Sequence, residues 1–127
     1  MATLEMAGPF SYTRETIDKV IPDGYPGNYA LGRYDKENNI FYVKYVGRAD
    51  KNLRERIGHS IGRYSHFMAS MANNVIEAYQ KECQNWHDFG GEEGELDNEI
   101  HPDKPNGEKL AFCPVCARRI MNKICKQ

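Results

Sequence analysis

With 127 residues, of which 40% are hydrophobic and 28% charged, the chain has the composition of one globular domain with enough apolar material for a core. A formal net charge of -1 excludes a protein that is basic throughout, and no stretch approaches the ~20 apolar residues of a membrane span. The opening MATLEMAGPF has no basic segment leading into an apolar run, so the expected location is cytoplasmic, or nuclear in a eukaryote, with no membrane partner.

Residues 1–9 are expected to be loose, as chain ends commonly are. Ser11 or Thr13 can cap a short helix through Glu15, Ile17, Asp18 and Val20, which Pro22-Asp23-Gly24 ends. Two β-like runs follow, Asn28 to Tyr34 and Ile40 to Val46, around the turn-rich Asp35-Lys36-Glu37-Asn38-Asn39. Pairing Tyr34 with Ile40 sets Tyr29 opposite Tyr45, so two phenols meet on one face. Asp50 or Asn52 can cap a helix beginning near Leu53, with Leu53, Ile57 and Ile61 as its apolar stripe and Arg54 and Arg56 in its first turns. Residues 64–70 fit either a continued helical stripe or one face of a strand. Asn73 or Asn74 caps a longer helix to about Asp88, stopped by Gly90-Gly91. Its stripe is Val75, Tyr79, Glu82 and Trp86, and a carboxylate within an apolar stripe is its informative feature.

Charge is unevenly distributed. Lys44, Arg48, Lys51, Arg54, Arg56 and Arg63 outnumber Asp50 and Glu55 in one stretch, and Arg118, Arg119, Lys123 and Lys126 form a basic tail. From Asp88 to Glu108 the balance reverses, with Lys104 the single cation. A basic patch beside the hairpin suits phosphates, while the acidic run is expected to face away or to limit binding.

Gly27-Asn28-Tyr29 and Tyr45-Val46-Gly47, followed by Arg48 and by Asn52-Leu53-Arg54-Glu55-Arg56, resemble the two half-motifs and the helical arginine of the GIY-YIG nucleases. Asn28 departs from the usual aliphatic residue and the interval between half-motifs is a few residues long, which a hairpin loop absorbs at small entropic cost. The resemblance spans residues 27–98 and implies a third strand over 64–70. It also implies that Tyr29, Tyr45, Arg48 and Arg56 surround a scissile phosphodiester, that Glu82 binds Mg²⁺, and that Asn98 completes the site. Chemically, Arg56 suits a countercharge because it bonds two phosphate oxygens at once. Glu82 can supply the one carboxylate that a largely hydrated Mg²⁺ requires. Tyr29 and Tyr45 can position water, or deprotonate it if a cation lowers a phenol's pKa from near ~10. Taken singly, stacked tyrosines are more often packing and helical arginines more often solvated.

The cysteines form a second constellation. Cys113-Pro-Val-Cys116 is a CxxC knuckle, and Cys83 with His87 stands at i and i+4 of the Glu82 helix, together a Cys₃His set for a structural zinc. His101, before Pro102, can replace Cys83 to give Cys₂His₂.

The expectation is therefore an α+β domain: a small antiparallel three-stranded sheet flanked by helices, GIY-YIG-like, with a zinc-stapled C-terminal tail. Residues 1–26 are an N-terminal extension, 27–98 the core and 99–127 the tail. The expected function is a Mg²⁺-dependent endonuclease on DNA, branched or structured DNA included, with RNA and a protein partner left open. The rivals are a non-catalytic nucleic-acid or protein-binding module of the same fold, and an adaptor acting through the acidic loop.

Overall fold

A computed structural model describes residues 3–125, with side chains through residue 122. Lys126 of the basic tail lies outside the described residues, as do the side chains of Lys123 and Cys125. In chain order the elements are β1 (Ala7–Ser11), α1 (Arg14–Val20), β2 (Gly27–Asp35), β3 (Ile40–Ala49), α2 (Leu53–Ile57), β4 (His66–Met71), α3 (Val75–Asp88) and α4 (Pro114–Cys125), with a 3-10 turn at Gly58–Ser60. The class is α+β, as expected. The sheet, however, has four strands in the order β1-β4-β2-β3, every neighbouring pair antiparallel. The extra strand begins within the residues expected to be loose, 1–9, and runs on to Ser11: Ala7 and Phe10 pair with Ala69 and Phe67, contacts some sixty residues away that no local pattern announces.

Helix signals were legible because they are local. The Thr13 side chain accepts from Thr16 N–H at the start of α1, and that of Asn74 accepts from Glu77 N–H at the start of α3. Asn52 is the first residue before α2, but its side chain accepts from Gly24 N–H and donates to Asp23 instead of capping. The stripe Leu53, Ile57, Ile61 breaks after Ile57. α2 gives way to the 3-10 turn at Gly58, where an added Cβ would lie 2.3 Å from the Arg14 guanidinium, and Ile61 is 39% exposed.

Both faces of the sheet are covered. Tyr29, Leu31, Phe67 and Ala69 pack beneath Ile17 of α1, Ile21 just past its end, and Leu53 and Ile57 of α2. Ala30 and Val46 pack on the other face against Trp86 of α3 with Leu4 and Leu96.

The hairpin register differs from the simple pairing. Asp35 faces Ile40 and Gly32 faces Val43, but Leu31 faces Tyr45 and Tyr29 faces Gly47, so Lys44 is an inserted bulge residue. Gly32 makes the bulge possible, because a Cβ there would lie 1.9 Å from the Tyr42 carbonyl oxygen. The insertion reverses the alternation of β3. Phe41 and Val43 thus join Val46 on the α3 side, and Tyr45 turns to the opposite face.

Residues 89–113 contain no helix or strand. They are tied to the outer edge of β3: Asp97 N–H donates to Lys44 C=O (2.6 Å), and the Asn98 side chain both accepts from Val46 N–H (3.3 Å) and donates to Val46 C=O (2.8 Å). The Asn98 carbonyl in turn accepts from Trp86 Nε1 (2.8 Å). Asn98→Ala should cost about 1–3 kcal/mol, because it strips partners from edge-strand groups that the loop shields from water. Urea unfolding with an unchanged m-value would register that loss as a lower midpoint.

Candidate functional site at the edge of the sheet

Where β3 ends, the following loop, α2 and α3 enclose a cleft of about 530 Å³ lined by Arg48, Asp50, Arg56, His59, Glu82 and Asp103, among others. Arg48 projects toward α3, where its Nη1 donates to Glu82 Oε1 (2.6 Å) while its Nε donates to Asp50 Oδ1 (2.8 Å). The guanidinium also lies over the Tyr79 ring, 5.2 Å from its centroid. Arg48 and Glu82 are 13% and 12% exposed in their side chains, so this is a largely desolvated ion pair. Burial pushes the Glu82 carboxyl above its ordinary range, and the attraction of Arg48 only partly offsets that. Burial works in the opposite sense on Arg48, but its bonds to Asp50 and Glu82 outweigh it and raise its pKa.

The tyrosines behave differently from the expectation. Their rings share one face and stack with centroids 6.2 Å apart and planes at 19°, but as diagonal neighbours, because the bulge sets Tyr29 opposite Gly47. A Cβ on Gly47 would lie 2.5 Å from Tyr29 Cζ, so only glycine lets the ring cross β3 toward the edge. Tyr29 is 5% exposed and stands behind the cleft wall, with Tyr45 half-buried beside it. Burial and the neighbouring Tyr45 raise the Tyr29 phenol far above its ordinary value, against an opposing pull from Arg56. At neutral pH Tyr29 is a hydrogen-bond donor and not a base.

Of the six residues expected to act on a phosphodiester, the structure brings Arg48, Arg56 and Glu82 into one cleft and sets Tyr29 behind Arg56. Asn98 stands apart: both ends of its amide are used on the Val46 backbone. Arg54, one helix position pair away from Arg56, is structural and donates to the Ile21 and Asp18 carbonyls. His59 and Asp103 line the cleft without having been singled out, since neither carries a motif and Asp103 arrives from a loop with no periodicity.

A second site joins α3, the loop and α4. One ligand atom from each of His87, His101, Cys113 and Cys116 lies within 4.8 Å of all the others. Nε2 of His87 and Nε2 of His101 are each 3.7 Å from the Cys116 sulfur. A tetrahedral zinc with Zn–S near ~2.3 Å and Zn–N near ~2.0 Å sets such edges at ~3.6 Å. Of the opposite ring nitrogens, His101 Nδ1 donates to the Pro102 carbonyl at 2.9 Å, and His87 Nδ1 lies against the Glu92 carboxylate without an aligned hydrogen bond. Those contacts favour the tautomer that leaves both Nε2 lone pairs turned inward. Burial keeps His87 below its ordinary pKa, aided by His101 and Arg119 and opposed by the Glu92 carboxylate, hence neutral. Although burial opposes it, backbone N–H groups of Cys116 and Val115 and the His101 ring lower the Cys113 thiol, favouring thiolate. The set can hold a metal ion such as zinc.

Cys83, the expected fourth ligand, is not in this set. One turn back along α3 from His87, it is fully buried with Tyr79, Ala111 and Cys113, and burial pushes its thiol up to about 12. His101 takes the place instead, its ring 5.2 Å from that of His87 and 5.3 Å from that of Trp86.

In comparisons with family models, characterised proteins and solved structures, nothing matched the chain. Among the described residues no helix is long and apolar enough to cross a membrane.

The raised Glu82 pKa has a sign that can be checked. The folded state holds this proton more tightly than the unfolded state, so the carboxyl's contribution is most favourable below the ordinary carboxylate range and declines as pH rises through its folded value. Glu82→Gln should flatten that decline in a series of denaturant unfolding curves, leaving the variant's stability less dependent on pH than the wild type's across the acid range.

Proposed function

We propose that the chain is a metal-dependent endonuclease of the GIY-YIG type that hydrolyses phosphodiester bonds in DNA, with a structural zinc in its C-terminal region. The observation that carries this reading is the meeting of Arg56 from α2 and Glu82 from α3 in one cleft at the sheet edge, with Tyr29 packed behind Arg56.

In this reading the exposed Arg56 guanidinium engages two non-bridging oxygens and balances the charge that develops as water attacks. The Tyr29 phenol, buried beside Arg56, acts through that guanidinium by helping to position it. Glu82 is the carboxylate for a largely hydrated Mg²⁺, which when bound supplies Lewis acidity at the phosphate. Arg48 already bonds Asp50 as well as Glu82, so it can release Glu82 to a cation and remain paired. His59 at the rim is a second polar group within reach of a substrate. At the other site His87, His101, Cys113 and Cys116 would hold a structural zinc, which would fix the tail against α3.

The ion pair supports a second reading. With Glu82 neutralised by Arg48, the cleft can bind phosphate through Arg56 and Lys51 without cleaving it, a nucleic-acid module whose affinity falls steeply with salt.

Single-stranded, duplex, flapped and branched DNA, with RNA counterparts, should separate the two in a Mg²⁺-dependent cleavage assay. The nuclease reading expects cleavage that Arg56→Ala and Glu82→Ala each reduce by about 10²–10³-fold, with folding preserved. Binding without cleavage on every substrate transfers the conclusion to the module. Elemental analysis of gently purified protein should give about one zinc per chain, given a set of four soft ligands, and a zinc-free, folded protein would refute the structural zinc.

A further inference from the structure

The acidic stretch does not turn away from the basic face as one block. Glu92 is held by Arg119 (2.7 Å) and by His87, and Asp97 accepts from the Tyr64 hydroxyl (2.7 Å), whereas Asp103 reaches into the cleft that Arg48 and Arg56 line.

Its position follows from the metal-ligand cluster. Asp103 is two residues beyond His101, a reach of at most ~7 Å of chain. The intervening Pro102 has a fixed φ, and its carbonyl accepts from the His101 ring at 2.9 Å, which stiffens that reach. Glu82 is tied to the same cluster from the other side, since it precedes His87 by five residues, ~7.5 Å along the axis of α3. A metal at the cluster would therefore join the helix carrying one wall of the cleft to the loop carrying another.

We infer that Asp103 is a selectivity element of the cleft: held in place by the His87, His101, Cys113, Cys116 centre, its carboxylate repels phosphates and restricts polyanion binding to what Arg56 and its neighbours can offset. The inference rests on the phosphate-binding reading of the cleft and adds to it a determinant of affinity and a reason for the metal centre to lie beside it. An extended nucleic acid passing this wall meets Asp103 opposite the cations Arg48, Lys51 and Arg56, with Asp50 and Glu82 already paired to Arg48 and Glu55 the one other acid lining the cleft. Removing that charge should strengthen binding without regard to sequence, because phosphates carry the interaction.

Fluorescence anisotropy with a labelled 20-nucleotide single strand and its duplex, in Mg²⁺-free buffer at fixed salt, tests this on the zinc-loaded chain. Asp103→Asn should bind about three- to tenfold more tightly, the effect of one exposed unit charge a few ångströms from a phosphate when water screens the pair. Asp103→Glu should bind like the wild type. Inserting two glycines between Pro102 and Asp103 leaves every ligand in place but cuts the tether, and should reproduce the asparagine variant with zinc content unchanged. Equal affinity for the wild type and Asp103→Asn overturns the selectivity role. Wild-type affinity in the insertion variant, when Asp103→Asn binds more tightly, overturns the role of the metal centre in holding Asp103. Absence of binding by every variant refutes the phosphate-binding reading itself, and this inference with it.

Discussion

The convergence of two imidazoles and two thiols between α3, the following loop and α4 is the constraint on which the C-terminal part of this chain depends. Residues 89–113 form no helix or strand, and loops of that length inside a compact domain need another source of order. Hydrogen bonds from Asp97 and Asn98 to the edge of β3 tie down one end. Toward the other end His101 and Cys113 gather with His87 and Cys116 where the four can hold a metal ion, and Glu92 links His87 to Arg119 of α4. Covering the edge of β3 with this loop also removes an exposed row of backbone donors and acceptors from the sheet.

The cleft is made by a different device, the close approach of side chains through positions that lack a Cβ. Gly47 lets the Tyr29 ring cross β3, and Gly32 accommodates the bulge that turns Tyr45 toward Tyr29. Groups from both faces of the sheet are thereby collected at one edge: Arg48 and Glu82 from the α3 side, Arg56 with the stacked tyrosines from the α2 side. Electrostatics divide these groups by role. Glu82 bears a desolvation cost that Arg48 only partly offsets, Tyr29 is locked in its protonated form, and Arg56 stays exposed and free to meet an anion.

Much of this was legible in the chain because its signals are short-range. Thr13 and Asn74 announce α1 and α3 through caps completed within three residues, and Cys113 and Cys116 are brought together by one helical turn. The carboxylate in the α3 stripe and the basic stretch after the hairpin likewise pointed to Glu82, Arg48 and Arg56. The fourth strand, the bulge at Lys44 and the entry of Asp103 into the cleft depend on partners far away in sequence, and no periodicity encodes them.

The choice between Cys83 and His101 shows where the boundary falls. Spacing made both eligible: Cys83 lies one turn from His87, and His101 lies in the loop near the knuckle. Local geometry cannot separate a thiol that turns into the apolar layer from one that turns toward the cluster, and burial with Tyr79 and Ala111 committed Cys83 to the former. The sequence by itself determined α1, α3, the start of α2, the hairpin and the supply of ligands and charges, because each follows from contacts within a turn or two, whereas α4 and the early end of α2 were not announced. The tertiary structure alone decided which of them meet, because side-chain direction and burial are set by packing between distant segments.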